Sequence, residues 1–286
     1  MGISETKGRA EATAGQANEQ AKQAVENPWV AGLMRLGYVV RGLIYVIIGV
    51  LALESAVGVG GQTTSSKGGI STIAQTPLGG PFLVLVVVGL AGFALWCFVS
   101  AAFDPLHRGS APKGLVKRLG YVGAGIANLA LLVFTVGLLA GKSQGGGGTP
   151  SLVSKTFDFP GGRAIVAIGG VVAIGVAIGQ FVIAAKASFE KDLERQRMGA
   201  TERKGAMILG RLGYVARGVI YGLLGWFVLL AALTQDPGQA HGFGDALATL
   251  AGKPFGHWLL GALAVGFIAL GLYSVACARW IRMTVR

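Results

Sequence analysis

Between Arg163 and Lys186 the chain reads "AIVAIGGVVAIGVAIGQFVIAA", 22 residues without a charge. A run of about 20 apolar residues is what crosses roughly 30 Å of hydrocarbon. Five more runs of this kind lie near 39–57, 81–103, 119–140, 212–233 and 257–279. Charged side chains make up only 13% of the 286 residues, against about a quarter in a soluble domain, and mean hydropathy is +0.61. The fold class is therefore all-α and integral to a membrane, with six transmembrane helices. A soluble protein with six buried helices is the rejected alternative.

The net charge of +12 invites a nucleic-acid reading, which position argues against. Of the 25 Lys and Arg, 18 fall in the N-terminal region through Arg35, in 104–118, in 186–211 and at the C-terminal end. The three other connections carry five (Lys67, Lys142, Lys155, Arg163 and Lys253), and Arg41 and Arg217 lie inside spans. That asymmetry is the positive-inside pattern. It places both termini in the cytoplasm and turns the basic connections toward anionic headgroups. No basic platform interleaved with aromatics accompanies the charge, so nucleic acid is not a partner. Residues 1–28 are small, polar and charged, lack the apolar stretch of a secretory signal, and read as a cytoplasmic tail.

The spans repeat. "RLGYVVRGLIY" begins at Arg35, "RLGYVGAGIAN" at Arg118 and "RLGYVARGVIY" at Arg211, at intervals of 83 and 93 residues. The second spans repeat as well: "ISTIAQTPLGG" (70–80) matches "LATLAGKPFGH" (247–257), and Phe159-Pro160-Gly161 stands at the same place in the middle. The chain divides into the tail 1–28 and three hairpins, 29–110, 111–200 and 201–286. Each hairpin holds an even number of spans, so all enter from one side as parallel tandem repeats. Three of them suggest a pseudo-threefold arrangement, with a row of hairpins as the alternative. Ile70, Ile73 and Ala74, like Leu247, Leu250 and Ala251, fall at i, i+3, i+4, which predicts short amphipathic helices in the outer interface. Proline then opens the next span, and Asp245 is expected to cap the short helix after it.

At 100° per residue, Tyr38, Arg41 and Tyr45 share one helix stripe, and Tyr214, Arg217 and Tyr221 repeat it. The middle hairpin has Ala124 and Asn128 at the arginine and second tyrosine positions. Two readings stand side by side. In one, each arginine anchors a helix end against a neighbouring repeat, ~9 Å beyond Arg35 or Arg211, snorkelling toward water. In the other, the stripe contacts an anion or lipid headgroup at an inward-facing vestibule. Glu54 reads as an interfacial residue near the outer end of its span.

The rest of the chemistry is sparse. His107, His241 and His257 lie in or beside connections, without the spacing or carboxylates of a metal site, although His241 and His257 share the outer side. Cys97 and Cys277 read as small apolar packing. Neither a catalytic constellation nor a cofactor motif is evident; "GLLAGKS" (137–143) lacks the first glycine of a phosphate loop and follows a span.

The thrice-used "RLGYV", the "RG-hydrophobic-IY" of two copies and "KPFG" before the last span resemble a bacterial membrane-protein family, domain of unknown function 1206, over about residues 30–283. The resemblance implies six spans in three tandem pairs and an inner-membrane location. It brings no activity, cofactor or catalytic residue. The expected function is that of a non-enzymatic structural or accessory protein packing against membrane lipids or a larger membrane complex. The alternative is a small-solute channel or transporter favouring anions. Fusing a fluorescent reporter to the C-terminus should give a folded, fluorescent product, and an alkaline phosphatase fusion there should be inactive. The reverse pattern would overturn the orientation.

Overall fold

The computed structural model describes residues 28–60, 63–103, 112–141 and 148–280. The tail 1–27, Asp104, His107, most of the glycine run at 145–148, Arg282 and Arg286 lie outside the described residues. Among the described residues, six long helices are apolar enough to cross a membrane: α1 (Pro28–Val57), α3 (Gly79–Phe103), α4 (Pro112–Leu139), α6 (Gly162–Lys186), α7 (Ala200–Thr234) and α9 (Gly256–Trp280). Three short ones precede every second span: α2 (Ser66–Ala74), α5 (Thr149–Phe157) and α8 (Phe243–Ala251). The chain is a multi-pass membrane protein with an all-helical fold. Three of the long helices, α1, α4 and α7, start seven or more residues before the apolar runs. Pro28 and Pro112 stand at the first helical position, where a missing N–H costs nothing. The Glu202 carboxylate accepts the Gly199 N–H at 2.9 Å and so fixes the start of α7.

The order of packing follows glycine. Apolar side chains gain little by leaving lipid for protein, so spans associate where small residues let backbones approach. α3 packs on α4, α6 on α7, and α9 on α1, while α1 also packs on α3 and α7 on α9. The contacts recur at matched positions. Gly125 of α4 meets Phe98 of α3, Gly218 of α7 meets Phe181 of α6, and Gly42 of α1 meets Val275 of α9. Gly42, Gly125 and Gly218 follow one another at intervals of 83 and 93 residues, and Phe98 and Phe181 are 83 residues apart. Gly49 lies against Ala264 and Ile268 of α9, just as Gly225 lies against Gly170 and Ile174 of α6. The corresponding residue of α4 is Leu132, so the α3–α4 contact lacks this second close approach.

A second class of contact joins α1 to α3 and α7 to α9. Gly37 meets Gly89 and Phe93, and Gly89 in turn meets Val40. Likewise Gly213 meets Leu270, and Gly266 meets Ala216. Between α4 and α6 this contact is missing: the two helices do not pack along one another. Gly120 and Gly123 of α4 face open space, and Val172 and Val176 of α6 are exposed. Val172 stands where α3 has Gly89 and α9 has Gly266. Its branched side chain occupies the place where the partner backbone would come. α4 and α6 are accordingly the two least buried spans.

The largest core cluster gathers residues of α1, α3, α4, α7 and α9 together with the short helices α2 and α8. Ile70 and Leu247 are 0% exposed, so the apolar sides of α2 and α8 plug this core. The expectation that they lie in the lipid interface is corrected in that respect: the period-3.6 face is present, but protein covers it. Ser65 caps α2 through Gly68 N–H. Asp245 does not precede its helix as expected. It sits in the first turn of α8, and its carboxylate accepts the Gly242 N–H at 3.1 Å. The prolines expected to open spans stand two residues earlier, in matched turns closed by Gly79 N–H to Thr76 O, Gly162 N–H to Phe159 O and Gly256 N–H to Lys253 O.

A Cβ added to Gly225 would stand 2.8 Å from Ile174 N and 2.9 Å from Gly170 O, whereas Gly175 has open space around it. Overpacking typically costs about 1–3 kcal/mol. Gly225→Leu should therefore lower the melting temperature of the purified protein in detergent, and Gly175→Leu should leave it within error of the parent. Equal melting temperatures for all three would contradict the packing described.

Candidate anion-binding site

Arg41 stands near the middle of α1 and Arg217 near the middle of α7. Helix register explains their direction. Gly37 and Val40 turn α1 toward α3, while Gly42 and Gly49 turn it toward α9; Tyr38, Arg41 and Tyr45 occupy the sector between. In α7, Gly213 and Ala216 face α9, and Gly218 and Gly225 face α6, leaving Tyr214, Arg217 and Tyr221 between those two helices. Both stripes thus look inward, away from exposed Val39, Val215 and Trp226.

The arginines are dressed by aromatic rings. The Arg41 guanidinium carbon lies 4.6 Å from the Phe93 ring centre and 5.5 Å from that of Tyr45. Arg217 lies 5.5 Å from the Tyr221 ring and 6.0 Å from that of Tyr214. Each donates through Nη2 to a phenol oxygen on its own helix, Arg41 to Tyr45 at 3.5 Å and Arg217 to Tyr221 at 3.2 Å. A guanidinium has five N–H donors. Arg217 Nε is sealed from solvent and has no partner. Among the described residues neither arginine has a carboxylate partner. Glu54, the acidic residue of α1, is exposed at the far end of that helix.

Cation–π contact is worth about 2 kcal/mol or more when desolvated, which offsets part of the cost of a buried guanidinium. It leaves the formal charge in place. Two like charges in an apolar interior disfavour one another, and a nearby opposite charge would favour both.

The remaining candidates distribute as follows. Tyr38 packs edge-on to Phe93, with ring centres 5.1 Å apart. Tyr45 stacks over Phe267 at 6.3 Å. Tyr214 belongs to an aromatic cluster with Phe189 and Tyr273. Asn128 is not drawn to the arginines; its amide donates at 2.7 Å to Ala124 O of its own helix. Sequence reasoning overlooked Phe93 as the face on which Arg41 lies, a role without a signal in spacing along α1. It also overlooked Gln180 of α6, whose amide oxygen is sealed without a partner. Arg118 was read only as a repeat marker and a basic charge; it donates to Ala101 O at 2.6 Å and Ala102 O at 2.8 Å, satisfying carbonyls of the last turn of α3.

Cys97 and Cys277 are both free and buried in one apolar cluster. His241 lies edge-on to Phe227 at 4.6 Å, and His257 is exposed. Among the described residues no group of three His, Cys, Asp or Glu side chains comes together.

A family model described as Domain of Unknown Function (DUF1206) matches residues 36–104 and 212–280. These segments carry α1–α3 and α7–α9, the pairs with the glycine contact that α4 and α6 lack. An uncharacterized protein of Bacillus subtilis (strain 168), YxxB, is 30% identical over 257 residues, covering 90% of this chain and 93% of its own length. No solved structure matches.

Tyr221→Phe removes the acceptor of a hydrogen bond from a charged donor, an interaction worth about 1.5–3 kcal/mol. It should lower the unfolding free energy by that order in detergent, while Trp226→Phe on the exposed face should change it little. Equal stability of both variants would show that the phenol does not hold the guanidinium.

Proposed function

Since the chain belongs to the DUF1206 family, which supplies no activity to inherit, we propose from the geometry that it is a non-catalytic accessory protein of the bacterial inner membrane. Its interior holds one anionic group, a phosphate or carboxylate on a lipid or free in water, between Arg41 and Arg217. One observation carries this reading: the guanidiniums on the inward sides of α1 and α7 have only phenol oxygens as hydrogen-bond acceptors and no carboxylate partner among the described residues, and Arg217 Nε is sealed and unpartnered.

Several features support the setting. The spans form a six-helix bundle of three hairpins about a pseudo-threefold axis, a reading favoured by the matched contacts Gly42–Val275, Gly125–Phe98 and Gly218–Phe181. The basic connections face the cytoplasm under the positive-inside rule. Arg41 and Arg217 are then in the cytoplasmic half of the bilayer, ~9 Å beyond Arg35 and Arg211, within reach of a headgroup phosphate. An arginine at the bilayer centre costs about 2.5–3.5 kcal/mol on insertion scales; a bound anion lowers that cost for both residues.

Native mass spectrometry of protein released from vesicles of phosphatidylglycerol and phosphatidylcholine tests the proposal. The parent chain should retain phosphatidylglycerol, or inorganic phosphate when that is added, in preference to phosphatidylcholine. The double variant Arg41→Gln, Arg217→Gln should lose the preference, and Arg41→Lys, Arg217→Lys should keep part of it if the fold is intact. Identical binding by the parent and a folded double glutamine variant would overturn the proposal.

A further inference from the structure

The open boundary between α4 and α6 has small or apolar walls on both sides. α4 contributes Gly120, Gly123 and Ala127; α6 contributes Val172, Gly175 and Val176. The three α4 and α6 glycines have nothing within 4 Å of a would-be Cβ, and Ala127, Val172 and Val176 are exposed. At the position of Ala127, α1 and α7 have the buried Ile44 and Ile220. At the position of Val176, α3 and α9 have the buried Phe93 and Leu270. The same residue positions that close two other boundaries therefore leave this one unfilled.

We infer that this boundary is a lateral portal through which an anionic phospholipid enters from the bilayer, its phosphate lying against Arg41 and Arg217 and an acyl chain filling the seam between α4 and α6. The inference rests on the proposed anion site and adds its ligand class and route.

Charge and polarity select this occupant over a second protein helix. A helix in the seam would fill its apolar part and leave the two guanidiniums without a counter-charge. A free anion would neutralise the guanidiniums and leave the apolar walls facing each other across a gap. A phospholipid with an anionic headgroup does both. Gln180 strengthens the argument from the α6 side. It precedes Phe181, which packs on Gly218 of α7, and it occupies the position of the buried residues Cys97 and Ser274. Its amide oxygen is sealed and unpartnered, an acceptor suited to a glycerol or headgroup hydroxyl.

The portal is read by a label on its wall. Val176→Cys carries a bimane fluorophore, the native Cys97 and Cys277 being buried, and the protein is placed in phosphatidylcholine vesicles containing a small fraction of brominated lipid. Two arginines at about 1 kcal/mol each predict that brominated phosphatidylglycerol occupies the seam about thirtyfold in preference to brominated phosphatidylcholine, and so quenches at a correspondingly smaller fraction of brominated lipid. Adding Arg41→Gln and Arg217→Gln should abolish that difference. Gly123→Trp, which fills the seam and leaves both arginines, should abolish it too.

The outcomes separate. Equal quenching by both lipids, with phosphatidylglycerol still retained in mass spectrometry, overturns the portal and leaves the anion site standing. Stabilisation of the parent by inorganic phosphate, without preferential quenching, assigns the site to a free anion and overturns the lipid. A label shielded from both lipids, together with disulfide formation between copies at position 176, places a second copy in the seam and overturns it as well. Preferential quenching that survives loss of both arginines removes their role as the lure.

Discussion

Close backbone approach at glycine is the constraint from which the rest of this structure follows. Inside a bilayer an apolar side chain is as well solvated by lipid as by protein, so helices meet where dispersion contacts can be made at short range. Gly37, Gly42, Gly49, Gly213, Gly218 and Gly225 each bring a neighbouring helix within van der Waals reach of the backbone. Their placement around α1 and α7 assigns two sides of each helix to neighbours and one to lipid. The remaining sector is where the tyrosines and arginines point. The site is thus a by-product of which residues have no side chain.

The one boundary where the rule is broken is equally instructive. Val172 replaces the glycine found at the matching places in α3 and α9, and α4 and α6 stay apart. α4 also loses the arginine and the second tyrosine of the stripe, having Ala124 and Asn128 there. One hairpin has given up both its internal contact and its share of the charged stripe. The interior keeps two guanidiniums, and the opening lies in the hairpin without one. On the proposed reading electrostatics and access are complementary: charge on α1 and α7, entrance between α4 and α6.

Much of the architecture was legible in the sequence because a bilayer demands long apolar runs and penalises irregular backbone within them. The six spans follow from length, and period gives two of the three short helices and the sharing of one stripe by Tyr38, Arg41 and Tyr45; α5 was not foreseen, and the direction of the stripe needed the neighbouring helices. Other features required knowledge of which helix is the neighbour. Nothing along α1 says that Phe93 of α3 will lie under Arg41, and the amphipathic face of α2 reads the same whether lipid or protein covers it. Ile70 is buried because α2 packs on α1, α3 and α4, a fact of tertiary arrangement. The difference between Gly89 and Val172 was visible, but its consequence depended on knowing that Gly89 is where α1 comes closest. Sequence repeats specify equivalent positions; only packing says which of them touch.

The central claim is that an anion resides between Arg41 and Arg217, and a direct image of that space tests it best. The measurement is a cryo-electron microscopy map of the protein in nanodiscs containing phosphatidylglycerol, held rigid by an antibody fragment. The account predicts compact phosphate density within hydrogen-bonding distance of both guanidiniums, continuous with a chain running between α4 and α6. A clear map with the guanidiniums paired to protein carboxylates, or with α4 and α6 closed on each other, would contradict it.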